Sequence, residues 1–194
     1  MSGIFRLPLA LRQPSCRDED DRGYRSVCFA NRRNHRRPGS LPDAWLEGKI
    51  LIIDRCLPTS SLPQDFDDLR NDASSEGCRS IERLHEDWCA GNMRFDGRGE
   101  TLLIATIAGT CAGIAGLTVD PSIADALQLH RFYVRPPLRG AGLGRQLATK
   151  LLDHALKHVP EVTVNVGTAE AGLFWENMGL TPSGQLGITH RLRF

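Results

Sequence analysis

RFYVRPPLRGAGLG, residues 131–144, constrains this chain more than any other stretch. Upstream, LQLHRFYV (Leu127–Val134) is rich in the apolar and aromatic residues of a strand. Two prolines then break it, and a basic loop spaced by glycines follows. GLGRQLATKLLDHALKHV (142–159) repeats its apolar residues at helical spacing and is the clearest helix in the chain. VTVNV (162–166) is a strand after it. Strand, loop, helix and strand at this length predict a parallel crossover whose loop lies at the carboxyl end of the first strand, where open α/β sheets bind ligands.

The chemistry of the loop suits a phosphate, but it fits neither common nucleotide pattern. A Walker loop needs GxxxxGK[ST], and no glycine here is followed by Lys. A dinucleotide fingerprint needs GxGxxG. Gly140, Gly142 and Gly144 alternate instead, and Arg145 stands where the third glycine is required. What remains is Arg139-x-x-Gly142-x-Gly144 running into a helix start, whose unpaired amides suit a pyrophosphate. A tight loop that only turns the chain is the alternative.

The rest of the chain reads as one domain after a basic extension. Residues 1–40 carry a net charge of +5 and the remainder −4. No helical or strand period persists from Met1 to about residue 47, so residues 1–47 are expected to be a disordered basic extension and 48–194 the folded domain. NRRNHRRPGS (31–40) raises nucleic-acid contact, which is disfavoured because no aromatic platform accompanies the charge. No apolar run has the length of a membrane span or a secretory core. The cysteines, Cys16, Cys28, Cys56, Cys78, Cys89 and Cys111, form no CxxC pair and read as free thiols of a cytoplasmic protein.

Within the domain, ILIIDRCL is a strand, and PQDFDDLRNDASSEG a helix capped by Ser60 or Ser61. SIERLHEDWCAG is a second helix, with Ile81, Leu84, Trp88 and Cys89 inward, Ser80 as cap and Gly91 as its stop. TLLIATI and CAGIAGLTV form a hairpin across AGT. AEAGLFWENMG is a short helix and GITHRLRF the closing strand. The expected class is therefore α/β (α+β) with a mixed central sheet.

VRPPLRGAGLG resembles the central motif of the GNAT acetyltransferase superfamily, a strand ending in Val, a short loop, then [Gln/Arg]-x-x-Gly-x-[Gly/Ala] at a helix start. TAEAGLFWENMGL (Thr168–Leu180) is similar to that family's later helix, N-x-x-A-x-x-F-Y-E-x-x-G-F. The element order from Lys49 to Phe194 also matches. The resemblance implies a single GNAT-type acyltransferase fold with a β-α-β coenzyme A-binding core, acetyl-CoA as cosubstrate and no metal. It implies transfer to a primary amine, on a small molecule or a protein, by direct attack in a ternary complex. Main-chain groups of Phe132 and Val134 would meet the pantetheine and acetyl ends, and Phe132 thereby joins His130 as a catalytic candidate. The pyrophosphate would sit on Arg139, Gly140, Ala141, Gly142, Leu143, Gly144 and Arg145. Thr168, Phe174 and Trp175 complete the implied coenzyme contacts.

Proton handling is less regular. His130, four residues before Val134, occupies a position where relatives carry a Glu or His base, and imidazole titrates near neutrality. A histidine satisfied inside the sheet is the alternative. Strand alternation puts Gln128, His130, Phe132 and Val134 on one face and Leu129, Arg131 and Tyr133 on the other, unless a bulge intervenes. The family's acidic Tyr falls on Trp175, whose indole donates a hydrogen bond but no proton, and its Asn falls on Thr168. A non-catalytic acetyl-CoA sensor therefore stays open as a second reading. His154 and His158 have metal-compatible spacing but no third ligand, and Cys111 reads as core. Trp88 and Phe95 are expected to pack the second helix, and a homodimer is compatible with the sequence.

Overall fold

The structure is a computed structural model that describes residues 51–57 and 60–194. The expectations for residues 1–47, with Cys16 and Cys28, lie outside the described residues. The described chain forms β1 (Leu51–Arg55), α1 (Phe66–Ser75), α2 (Ser80–Ala90), β2 (Thr101–Ile107), β3 (Thr110–Val119) and β4 (Ala126–Val134). It continues through α3 (Leu143–Ala155), β5 (Glu161–Val164), α4 (Ala169–Glu176), β6 (Thr181–Pro182) and β7 (His190–Arg193). A 3-10 turn, Pro136–Leu138, sits between β4 and α3. Among the described residues no helix is long and apolar enough to cross a membrane.

One sheet holds all seven strands, in the order β1-β2-β3-β4-β5-β7-β6. Only β4 and β5 pair in parallel; every other neighbour is antiparallel. The β2–β3 turn, Ala108-Gly109, has positive φ at both residues (52° and 80°), the geometry that matches strand twist in a two-residue hairpin. Helices cover both faces of the sheet, so its central strands are near-continuous apolar runs. On one face Leu103, Ala115, Leu129 and Val162 pack beneath α3 and α4, through Leu147, Leu151 and Trp175. On the other, Leu102, Ile104 and Ile114 meet Phe66 and Leu69 of α1 and Ile81, Leu84 and Trp88 of α2.

Several local expectations are corrected. Asp65, not Ser60 or Ser61, occupies the N-cap of α1, and its carboxylate accepts the Cys111 amide instead of capping. Ser60 is occupied elsewhere, its hydroxyl donating to the Leu57 carbonyl at 2.7 Å. Arg79 is the N-cap of α2, with Ser80 one position inside, while Gly91 ends the helix at φ 77° as expected. Cys89 is exposed and does not join the apolar face of α2. Cys56, Cys89 and Cys111 are free thiols, but Cys78 is disulfide-bonded, which removes that part of the argument for a reducing compartment. β6 is only two residues long, too short to carry a period in the sequence.

The most consequential difference is in β4. Ile114 pairs with Tyr133 and Gly116 with His130, so Arg131 and Phe132 together oppose Ala115. Arg131 absorbs this bulge at φ 55°. Face parity resets across it. Leu127, Leu129, Phe132 and Val134 face α3 and α4, whereas His130, Arg131 and Tyr133 meet partners on the α1–α2 side. His130 and Phe132 therefore lie on opposite faces, and Tyr133 shares the face of His130.

Candidate active site

β4 and β5 stay paired only from Ala126–Glu161 to Leu129–Val164. β4 runs on to Val134, and no described strand continues the ladder on that side. Beyond the parting, Phe132 meets the rings of Phe174 and Trp175, with centroids 5.6 and 5.1 Å apart. A Cβ on Gly144 would lie 3.8 Å from both Val134 and Phe174. Phe132, Val134, Gly144, Phe174 and Trp175 are thus brought together where the sheet opens, at the start of α3.

α3 begins on Gly142, which is left-handed at φ 84° and supplies no side-chain cap. The first amide bonded within the helix is that of Gln146, donating to the Gly142 carbonyl at 3.1 Å. The amides of Leu143, Gly144 and Arg145 precede it, and among the described residues none of those from Gly140 to Arg145 has an acceptor. Gly140 is left-handed too, at φ 83°, and a Cβ on either glycine would meet nothing within 4 Å. Glycine is therefore needed at 140 and 142 for backbone conformation, while the space outside is open. Arg145 is exposed on the first turn. Open amides, a helix N-terminus and a nearby cation fit an anionic diphosphate and oppose a cation.

Arg139 has a different place. Its Nη1 and Nη2 donate to Glu76 Oε1 and Oε2 at 2.8 and 2.6 Å, and its Nε donates to the Val134 carbonyl at 2.8 Å. Its own amide donates to the Pro136 carbonyl at 3.3 Å. The guanidinium also lies 5.2 Å from the Tyr133 ring centroid. Both the side chain and the amide of Arg139 are thus bonded within the protein, unlike the open amides from Gly140 to Arg145. Tyr133 Oη donates to Glu76 Oε2 at 2.8 Å, and burial followed by this bond raises the phenol's pKa. Arg135 adds a parallel pair, its Nε donating to Asp72 Oδ2 at 2.6 Å. Nothing local in the sequence marks Asp72 and Glu76. Their only signal is that two acids four apart face two arginines four apart, which needs the fold to be seen.

His130 is enclosed between Phe95, with ring centroids 5.8 Å apart, and Thr118, whose Oγ1 lies 3.0 Å from Nε2. Burial first, and the Arg131 charge second, push its pKa down to about 3. Phe95 also packs on Trp88, at 6.5 Å. Trp88 lines a cleft of about 430 Å³ with Phe66, Asp67, His85 and Arg94, and His130 is not part of that lining.

Trp175 is fully buried, and its indole N–H has no acceptor among the described residues. Thr168 is the N-cap of α4, its Oγ1 accepting the Ala171 amide at 3.2 Å. Burial, then the Asp65 charge, raise the Cys111 thiol to about 12, leaving it no thiolate character. The His154 ring nitrogen bonds the Gly99 carbonyl at 3.1 Å, and burial lowers its pKa. Among the described residues no three His, Cys, Asp or Glu side chains are grouped to hold a metal.

No curated protein matches the sequence. A protein from Exiguobacterium sp. 255-15 assigned to the acetyltransferases superposes with a TM-score of 0.67 at 21% identity, over 74% of this chain and 93% of its own. The PaiA N-acetyltransferase of Thermoplasma acidophilum, solved with coenzyme A, gives 0.56 at 15% identity over 75% and 99%. The ribosomal-protein-alanine N-acetyltransferase of Brucella melitensis gives 0.55 at 20% identity over 74% and 99%. These likenesses establish the fold. Residues 64–180 match the family described as Acetyltransferase (GNAT) family, and a match over more than half the sequence means that this chain belongs to it.

Proposed function

We propose that this protein is an acetyl-CoA-dependent N-acetyltransferase acting on a primary amine. The observation that carries the reading is the parting of β4 from β5 above the uncapped, glycine-built start of α3. Amides from Gly140 to Arg145 would hold the diphosphate. The carrier's arm would then run between the strands past Phe132 and Val134. Acetyl-CoA supplies an activated acetyl group on a thiol leaving group. The amine nitrogen forms the new bond to the carbonyl carbon, the carbon–sulfur bond breaks, and the surplus amine proton leaves to solvent.

Ordering, rather than base catalysis, is the contribution this chain is built to make. Holding amine and thioester in line supplies much of the rate. His130, at about 3, stays neutral throughout the physiological range and is a feeble acceptor for an ammonium proton. Trp175 has no proton to give the departing sulfur. These two features favour the second reading, a non-catalytic acetyl-CoA sensor, and one assay separates them. Release of free thiol from acetyl-CoA is measured against a panel of small primary amines and amino-terminal peptides. Amine-dependent release supports the enzyme; tight coenzyme A binding by calorimetry with no release above buffer supports the sensor. Absence of coenzyme A binding by the folded protein removes both.

A further inference from the structure

We propose that Glu76 is a positioning residue for the diphosphate cradle, acting through Arg139; this rests on the coenzyme reading above. The cradle holds two left-handed glycines, Gly140 and Gly142, and such a segment loses much entropy when it is ordered. Something must hold it before the ligand arrives, or that cost comes out of affinity. Two prolines stiffen one side of the loop. The other constraint comes from across the sheet, from the carboxyl end of α1.

Asp72 and Glu76 lie one helical turn apart and take Arg135 and Arg139, which bracket the diproline turn. The Glu76–Arg139 pair is bidentate, both groups are about three-quarters or more withdrawn from solvent, and Tyr133 Oη donates to the same carboxylate. A planar fork on a carboxylate fixes orientation as well as distance. Arg139 Nε on the Val134 carbonyl ties that fixed group to the end of β4. Gly140 is the next residue. Glu76 therefore sets where the cradle begins, although it touches no ligand.

The test measures coenzyme A affinity by calorimetry at two salt concentrations, with kcat and KM for acetyl-CoA, in the full-length protein. Glu76→Ala is expected to raise Kd about tenfold, with KM rising in parallel and kcat within about twofold. Its salt dependence should match wild type, because no phosphate contact is gained or lost. Glu76→Asp should recover most of the affinity. Asp68→Ala, which removes an exposed acid from the same helix, should stay within about twofold and so controls for net charge. If Glu76→Ala does not fold, the isosteric Glu76→Gln takes its place, with a smaller rise in Kd. Unchanged affinity, or a fall in kcat at constant KM, overturns the proposal. Tighter binding with steeper salt dependence overturns it too, because the freed Arg139 would then be a phosphate ligand. A wild type that binds no coenzyme A overturns the underlying reading first, so the two failures are distinguishable.

Discussion

At His130 the surroundings override the side chain's ordinary chemistry. Folding lowers its pKa from 6.5 to about 3, so the two states titrate differently between those values. Above pH 6.5 both states are neutral and the contribution to stability is fully present. As pH falls, the unfolded chain takes up a proton that the folded chain refuses, and stability is lost progressively down to about 3. His130→Gln should flatten this dependence. Urea unfolding at about pH 7.5 and pH 4.5 checks it, carboxylates common to both proteins cancelling in the difference. The variant must lose less stability on acidification than wild type; an equal loss would mean that His130 is not held neutral. At the cradle, conformation and charge can be separated. Gly142→Ala strains a left-handed position by about 1 kcal/mol and should weaken coenzyme A several-fold. Gly142→Glu also brings a carboxylate to the open amides, and calorimetry should then detect no binding. Arg145→Ala should weaken binding and lower its salt dependence, as expected of one exposed phosphate contact.

At the scale of elements, the bulge in β4 organises the site. Arg131 takes φ 55° without being glycine, and its guanidinium is anchored on the α2 side by Asp87 Oδ2 at 2.9 Å and the Ser80 carbonyl at 3.1 Å. Asp87→Ala leaves a buried charge without that carboxylate. It should cost about 2 kcal/mol, less than a fully buried pair because Asp87 is partly exposed. Chemical denaturation checks the cost, and a loss below about 0.5 kcal/mol would mean that the pair does not hold the bulge. This element also marks where sequence reading stops. The Ala108-Gly109 turn, the helical apolar spacing of residues 142–159 and the glycine loop are legible because each is a local pattern with a local cause. The bulge leaves no composition mark, since Arg replaces the glycine that would have announced it, so alternation put His130 with Phe132. The Glu76–Arg139 and Asp72–Arg135 pairs span 63 positions each, and no periodicity reaches that far.

Across the whole molecule, the cradle and its restraint stand on opposite sides of the sheet. Gly142 and α3 belong to the layer with Trp175, while Glu76 ends a helix of the layer with Trp88. Arg139 crosses between them at the end of β4. A ligand on the α3 amides should therefore quiet a helix end that it never touches. Hydrogen exchange with and without coenzyme A tests this. Amides of Leu143, Gly144 and Arg145 should slow by direct contact. Those of Glu76, Gly77 and Cys78, bonded to the carbonyls of Ala73 and Ser74, should slow because their opening would have to break the Arg139 pair. In Glu76→Ala the first effect should persist at saturating ligand and the second should vanish. Protection confined to α3 in wild type would mean that the two layers respond independently, and that the ion pair transmits nothing across the sheet.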